Sequence, residues 1–292
     1  MLCLVIGFTV GSGAVSAHAA EKTDIGPPPS ERNWQIGFTP SYSSGNYGTN
    51  TTSSFLYAPI SIRRFFKDGD VAIVIPFVTA TTSGGATLVG GQPTPTLPPS
   101  CDDNSGSGNA EDRPECQGLG GTGGAQRQKV TNSGLGDIIL RGRYYIVEEK
   151  DWVPLVAITG RLKLPTADES KGLGTGKMDE GVGAEVSKLL GDNWITFLDG
   201  GFNVIGRPEG LNLRNQWWYD IGGGYYFSKN LLGSVYFEEY RSLVSGAQNI
   251  RDIFFGMNYR ASSEWRFNGG VAVGLSNGAP DHVFSVGTSY RY

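Results

Sequence analysis

The chain has 292 residues, a formal net charge of −4 and a content of 39% hydrophobic residues. A charge this close to neutral excludes the strongly basic surface of a typical nucleic-acid-binding protein. No stretch of about 18 apolar residues follows residue 20, so the sequence predicts no membrane-spanning helix. Strands that are apolar on one face only give an average hydrophobicity of this kind.

Residues 1–20 predict a secretory signal peptide. An apolar core is followed by small residues, with Ala17-His18-Ala19 as an A-x-A cleavage site. The basic segment that opens such signals is missing, which leaves a start further upstream, an atypical signal or a short buried strand as alternatives. Residues 21–32 are rich in proline and polar residues and have no periodicity, so we predict a flexible periplasmic lead-in.

From residue 33 onward the chain consists of runs in which apolar and polar residues alternate, which is the period of a β-strand. The hairpin within residues 133–166 shows the pattern most clearly, because Leu140 and Tyr144 alternate with Arg141 and Arg143. Twelve strands are predicted, at about 33–43, 54–66 and 70–81, two within 133–166, then 176–189, 193–206, 212–227, 231–243, 249–261, 264–276 and a last strand that ends at Tyr292.

The length of these strands and the position of their charges distinguish two kinds of β protein. A soluble sandwich also alternates, but strands of about 13 residues are long for one and are sufficient to cross about 25 Å of apolar bilayer when tilted. Arg141 and Arg143 would be costly in a packed core, whereas they suit the polar lumen of a barrel. We therefore predict an all-β fold, a transmembrane antiparallel β-barrel of about 12 strands over residues 33–292.

The links between the strands support the barrel. Every second link is only two to four residues long, beginning with Lys67-Asp68-Gly69, and the others are longer. Short periplasmic turns and long outer loops are typical of outer-membrane barrels, and an even number of strands places both chain ends on the periplasmic side. Twelve strands close with a backbone diameter of about 25 Å, which inward side chains narrow to a path for small molecules.

Charged residues on the inward face are predicted to line the solute path. Acidic and basic residues are both present there, so ion pairs would satisfy the buried charge. Such a network either plugs the bore or lines a selective path, and the sequence leaves both open. The residues are Asp137, Arg141, Arg143, Arg161, Lys163, Asp179, Glu185, Asp199, Arg214, Asp220, Glu238, Asp252, Arg260, Arg266 and Arg291.

Aromatic residues near the strand ends predict the girdles by which a barrel meets the two membrane interfaces. The terminal Tyr292, preceded by alternating apolar residues, also resembles the signal that barrel assembly machinery recognises, although any barrel strand ends in a similar way. The predicted partners are outer-membrane lipid, that machinery and a small solute, and a monomer is expected. The girdle residues are Trp34, Trp152, Trp194, Trp217, Tyr219, Tyr225, Trp265, Tyr290 and Tyr292.

Residues 82–133 form the longest predicted loop and have no strand pattern. Cys101 and Cys116 are the only cysteines after the signal, and they predict a disulfide in an oxidising periplasm. Half of a metal site is the weaker alternative, because no histidine lies near them in the sequence. Three placements of this loop stay open, since it either folds into the lumen, lies over the mouth or remains at the surface.

A catalytic interpretation has little support in the sequence. His282 is the only histidine after the signal, and the nearest serines, Ser276 and Ser285, are in no recognisable motif. Some twelve-stranded outer-membrane barrels are nevertheless phospholipases with a Ser-His-Asn site. We predict no catalytic residues, no metal and no cofactor.

The chain contains the segments SGLGDIILRGRYY, LPTADESKGLGTG, LRNQWWYDIGGGYYFS and GLSNGAPD, in this order. They resemble a bacterial outer-membrane family of transporters connected with the meta-pathway of phenol degradation. The resemblance covers roughly residues 33–292 and implies a barrel in the bacterial outer membrane that takes up aromatic or other small hydrophobic compounds. The loop at 82–133 is longer than expected for the family.

The alternative functions are a non-transporting surface barrel whose long loop binds a partner and, after it, a barrel lipase.

Overall fold

The computed structural model describes residues 32–49, 51–83, 86–89, 91–95, 129–209 and 211–292. The predicted signal peptide, all but the last residue of the lead-in, and both Cys101 and Cys116 lie outside the described residues. Within them the fold is all-β. The strands are β1 (Trp34–Phe38), β2 (Ser41–Gly45), β3 (Ser53–Phe66), β4 (Gly69–Thr82), β5 (Ala86–Val89), β6 (Gln92–Pro95), β7 (Val130–Leu135), β8 (Ile139–Val147), β9 (Leu155–Lys163), β10 (Asp179–Leu190), β11 (Trp194–Val204), β12 (Gln216–Ser228), β13 (Leu231–Tyr240), β14 (Ile250–Arg260), β15 (Trp265–Gly274) and β16 (His282–Arg291).

The only helical element in the described part of the chain is a 3₁₀ turn at Glu169–Lys171. Asp168 caps its start by accepting a hydrogen bond from the Ser170 N–H, and Gly172 ends it in the left-handed conformation. None of the described helical structure is long and apolar enough to cross a membrane.

The strands other than β5 and β6 form one closed antiparallel barrel. β16 pairs with both β1 and β2, and this pairing closes the sheet. Two wall strands are interrupted: β1 and β2 form one of them and both pair with β3, while β7 and β8 form another and both pair with β4. The first interruption falls at Pro40, which has no N–H to donate. When each interrupted strand is counted once, the barrel has twelve wall strands, and the predicted fold is confirmed.

The two ends of the barrel differ in the length of their links. One end, the short-turn end, carries the links at 67–68, 148–154, 191–193, 229–230 and 261–264. The other end, the long-loop end, carries those at 46–52, 83–129, 164–178, 205–215, 241–249 and 275–281. The predicted asymmetry is present, but the turn predicted as Glu149-Lys150-Asp151 spans 148–154. Lys150 and Val153 form an isolated bridge in it, which shortens both flanking strands.

The barrel is apolar outside and charged inside, the reverse of a soluble protein. Along β4, for example, Asp70 and Val78 face inward and are buried, whereas Val71 and Phe77 face outward and are about half exposed. A soluble protein rarely leaves a continuous apolar band in water. An apolar outer band around a polar interior is the arrangement of a membrane barrel.

Inward glycines allow large rings to lie flat in the lumen. Phe254 on β14 is fully buried, and its ring lies against Gly270 on β15. A Cβ at residue 270 would clash with this ring and lie 2.9 Å from the Phe255 carbonyl oxygen. Gly160 on β9 is instead exposed on the outer face and would have no atom within 4 Å of an added Cβ.

We therefore expect Gly270→Val to lower the free energy of unfolding by about 1–3 kcal/mol, because the added side chain displaces a packed ring. Denaturant titration of the full chain in detergent micelles measures this change. The matched control is Gly160→Val, which places the same side chain in open space and should leave the stability unchanged or slightly higher. Equal effects of the two substitutions would show that Phe254 is not packed in this way.

Candidate functional site in the barrel lumen

Most of the predicted solute-path residues lie on the inner face of the wall. Arg161 occupies an inward position opposite Arg141 and is half-buried. The others on the inner face are buried, and they are Asp137, Arg141, Arg143, Lys163, Asp179, Glu185, Asp199, Asp220, Glu238, Asp252, Arg266 and Arg291.

Two predicted path residues lie at the rims and not inside the bore. Arg214 precedes β12 at the long-loop end and donates hydrogen bonds to the carbonyl oxygens of Ser242 and Val244, at 3.0 and 2.9 Å. Arg260 ends β14 at the short-turn end, is exposed, and donates to Asn230 Oδ1 at 3.2 Å. The alternation was extended into the segment before β12, which is a loop. Leu213 lies in the same loop, where it is buried and forms an isolated β-bridge with Val244.

An ion-pair chain crosses one side of the lumen. The Asp70 carboxylate on β4 lies 3.4 Å from Arg63 Nε and accepts a hydrogen bond from Arg143 Nη1 at 3.3 Å. The Arg143 Nε lies 3.2 Å from Glu185 Oε2. All four side chains are at most 5% exposed. Arg143 thereby connects β8 to β4 and to β10. Pairing of this kind is what makes buried charge tolerable.

Arg63 and Asp70 are two inner-face residues that were not among the predicted path residues. Arg63 is two residues from Phe65 on β3, and both are buried on the inner face, so alternation along this strand could have found it. Asp70 was obscured by the adjacent turn signal at Lys67-Asp68-Gly69, which made it look like a turn residue.

A second ion-pair group ties the loop at 164–178 to the wall. The Lys163 ammonium lies 3.1 Å from Asp137 Oδ2 and 2.9 Å from Asp179 Oδ2, and donates to Thr175 Oγ1 at 3.0 Å. Asp137 also accepts from the backbone N–H of Ala167 at 3.0 Å. The fully buried ammonium is thus surrounded by acceptors, and it fixes the loop against the inner wall.

Five acidic residues form one row across neighbouring strands, which we name the carboxylate tier. Each member stands directly opposite the next in the strand register, and each is at most 2% exposed. Like charges at opposite positions destabilise a sheet, so the fold alone does not require this row. The tier consists of Glu185, Asp199, Asp220, Glu238 and Asp252.

Aromatic side chains lie on both sides of the carboxylate tier, two residues away along the strands. Towards the long-loop end, Trp218 and Tyr240 stack with ring centres 6.3 Å apart. Towards the short-turn end, Tyr236 lies between Phe197 and Phe254, at 5.3 and 6.3 Å. The lumen on the β11–β14 side therefore alternates between apolar and acidic levels.

The β5–β6 hairpin lies across the lumen at the long-loop end. Leu88 packs in a cluster that includes Tyr57 and Val78 of β3 and β4, whereas Val89 packs with Leu213 and Leu243 near β12 and β13. The side-chain amides of Gln92 and Gln216 are joined by a 2.8 Å hydrogen bond. One hairpin thus touches opposite walls.

This hairpin corrects the expectation that 82–133 has no strands, and β7 also begins at Val130, inside that range. Of the three placements considered, the described part of the loop adopts the one inside the lumen. Its two strands are four residues long, which is too short for a period of two to be recognised. The glycine at 91 (φ +84°) supplies the turn residue.

The described lumen contains small cavities and a larger one at its mouth. Their volumes are about 50 Å³ beside Arg141, about 20 Å³ beside Arg266, and about 180 Å³ beneath the outer loops. The two inner volumes accommodate a few water molecules at most. Within the described residues, side chains and hairpin β5–β6 therefore occupy much of the lumen.

The predicted girdle residues are on the outside of the barrel and are concentrated at its short-turn end. Trp217 and Tyr219, at the start of β12, are the members at the long-loop end, and their rings stack at 6.1 Å. The members at the short-turn end include two contacting pairs, at 4.9 and 5.0 Å. They are Trp34, Trp152, Trp194, Tyr225, Trp265, Tyr290 and Tyr292.

The residues considered for catalysis are not arranged as a nucleophile and base. The His282 ring lies 5.3 Å from that of Phe284, at the start of β16. The Ser285 and Ser276 hydroxyls donate to the carbonyl oxygens of Gly270 and Asn249. In the described part of the chain, no group of three His, Cys, Asp or Glu side chains is placed to hold a metal ion.

Comparison with known proteins places these features in a family. The fold is similar to the crystal structure of an outer membrane channel from Pseudomonas putida F1, with a TM-score of 0.62 and 10% identity over 89% of this chain and 96% of that one. The toluene transporter TbuX of Ralstonia pickettii gives a weaker similarity, with a TM-score of 0.43 and 12% identity over 98% and 95%. A search of curated protein sequences gave no match. The model of one family matches residues 70–292, and the chain belongs to that family, described as the putative MetA-pathway of phenol degradation.

Proposed function

We propose that this chain is an outer-membrane channel for small hydrophobic, in particular aromatic, solutes. The observation that carries the proposal is the filling of the bore: aromatic and acidic levels alternate down one side, and a hairpin closes the mouth. Such a lumen favours the passage of small solutes that can move from one apolar contact to the next. It disfavours the passage of hydrated ions. The family description, which concerns phenol degradation, supports an aromatic cargo.

The charged inner face gives the path its selectivity in this proposal. The ion-pair chain around Asp70 and Arg143 and the group around Lys163 occupy one side. The carboxylate tier begins at Glu185, which contacts Arg143, and extends across the strands of the other side. The predicted residues inside the bore thus act as its lining, and Arg214 and Arg260 act at its two rims. A solute passes when hairpin β5–β6 and the side chains beneath it move aside.

The setting of the channel is part of the proposal. Lipid of the bacterial outer membrane surrounds the apolar band, with the short-turn end and its girdle in the periplasmic leaflet. Tyr292 exchanges two backbone hydrogen bonds with Trp34, at 2.9 and 3.0 Å. The last strand therefore completes the barrel, and it is the strand that we expect assembly machinery to recognise. One chain closes the barrel, so we propose a monomer without cofactor or catalytic role.

Planar bilayers with lipopolysaccharide in one leaflet test the function. Purified full-length protein should give small single-channel currents that phenol reduces in a saturable way, because solute and ions share one narrow path. His282→Ala is the matched control and should conduct and block as the unaltered protein does. Absence of both current and phenol-dependent block would contradict the channel. Ester-lipid hydrolysis that this substitution abolishes would instead support a barrel lipase.

A further inference from the structure

A cavity lies at the long-loop end, outside the ion-pair groups and the carboxylate tier. It has a volume of about 180 Å³ and is enclosed by segments of four different connections, including the hairpin. Gln248 and Asn277 stand at its exposed rim, and Leu243 and Ile250 lie buried at its depth. As far as the described residues show, the cavity therefore opens at the long-loop end and is apolar at its base.

None of the described residues that line the cavity is charged at neutral pH. The lining tyrosine, Tyr47, is buried and donates its hydroxyl to Ser43 Oγ at 3.2 Å, and burial raises the pKa of its phenol above the ordinary value. The hydroxyls of Ser242 and Thr94 donate to the carbonyl oxygens of Val244 and Gln92. These three hydroxyls are satisfied within the protein, so a ligand at the base of the cavity would be held mainly by burial of its apolar surface.

The volume matches one aromatic ring. A cavity of about 150 Å³ lined by apolar side chains binds benzene in another protein. The present cavity exceeds that volume by the space of one small substituent. A carboxylate at the base would lose hydration without gaining a cationic partner from the described lining residues, and that loss is costly.

The position of the cavity connects it to the path below. Ile250 belongs both to its base and to the cluster formed with Trp218 and Tyr240. Glu238 and Asp252 of the carboxylate tier follow directly, each two residues further along its strand. An anion that left the cavity inward would meet these carboxylates, whereas a neutral ring would move from one apolar level to the next.

We propose that this cavity is the entry site of the channel and that it binds neutral single-ring aromatic compounds in preference to aromatic carboxylates. The proposal rests on the channel function and names its substrate class. Tyr47, Leu243, Ala247 and Ile250 provide the contact surface. Selection is by size and neutrality, and it takes place before the solute reaches the charged lumen.

Saturation-transfer NMR on the full chain in lipid nanodiscs, with empty nanodiscs as reference, tests the site with phenol and benzoate as probes. Ala247→Trp fills the cavity from one loop and should weaken phenol binding at least tenfold. The matched control is Ser245→Trp, which adds the same ring to an exposed residue of the same loop that does not line the cavity. It should bind phenol as the unaltered protein does, and benzoate should bind at least tenfold more weakly than phenol throughout.

A second filling variant guards against misfolding of the first. Asn277→Trp reaches the cavity from the opposite rim, and heat-modifiable mobility on a gel verifies the barrel in each variant. Unchanged phenol binding in both folded filling variants, or equal binding of benzoate, would overturn the entry site. The bilayer currents distinguish failure of the entry site from failure of the channel function. If phenol blocks the current but both filling variants still bind phenol normally, the entry site is rejected and the channel is not. If the filling variants abolish phenol binding but the unaltered protein gives neither current nor phenol block, the channel function is rejected and the binding site is not.

Discussion

Release of hairpin β5–β6 should raise the single-channel conductance by at least about threefold, because current depends on the narrowest part of a pore. The change that releases it is Leu88→Asp with Val89→Asp. These two side chains are each 3% exposed and pack against opposite walls of the mouth. An unpaired carboxylate in either cluster costs several kcal/mol, which is more than one hydrogen bond from Gln92 can offset.

The control for this double variant is Ser245→Asp, a new carboxylate on an exposed residue of another long-end loop. It should leave the conductance unchanged. Single-channel recording in planar bilayers provides the measurement, and heat-modifiable mobility shows that the wall is intact. A folded double variant with ordinary conductance would mean that the narrowest part lies lower, at the carboxylate tier and its aromatic neighbours.

The second large effect is expected from Asp70→Asn, which should lower the free energy of unfolding by about 3 kcal/mol or more. Asp70 is the acidic partner of both Arg63 and Arg143, and all three side chains are at most 5% exposed. The substitution preserves the shape of the side chain but removes its charge. It leaves Arg63 without this partner, whereas Arg143 keeps its contact with Glu185. The source of the loss is the removal of an acidic partner from two guanidinium groups that remain buried.

Denaturant titration in micelles measures this loss, and Asp168→Asn is the matched control. The Asp168–Lys171 pair is an exposed contact in the loop at 164–178, and asparagine keeps the capping role. Its removal should change the stability by about 0.5 kcal/mol or less. Similar losses from the two substitutions would mean that water reaches Asp70 freely and that the lumen at this level is open.

The alternation of each wall strand could be predicted from the sequence, because the membrane imposes it locally. A strand between lipid and a polar interior must repeat every two residues, and the alternation of Leu140 and Tyr144 with Arg141 and Arg143 shows this without any knowledge of neighbours. The lengths of the links could also be read from the sequence, and their alternation between short and long distinguished the two ends of the barrel. Arg214 marks the limit of the approach, because the pattern does not show where a strand stops and a loop begins.

The partners inside the lumen were decided by the tertiary structure. Arg143 was expected to face inward, but its pairing with Asp70 and Glu185 depends on strands distant in sequence that the closed sheet brings together. The carboxylate tier likewise exists only because the strand register sets Asp220 opposite Glu238 and Glu238 opposite Asp252. The hairpin and the entry cavity have the same origin. Side chains on opposite walls come into contact only when the sheet closes into a barrel, so the two-residue alternation along the chain does not predict these contacts.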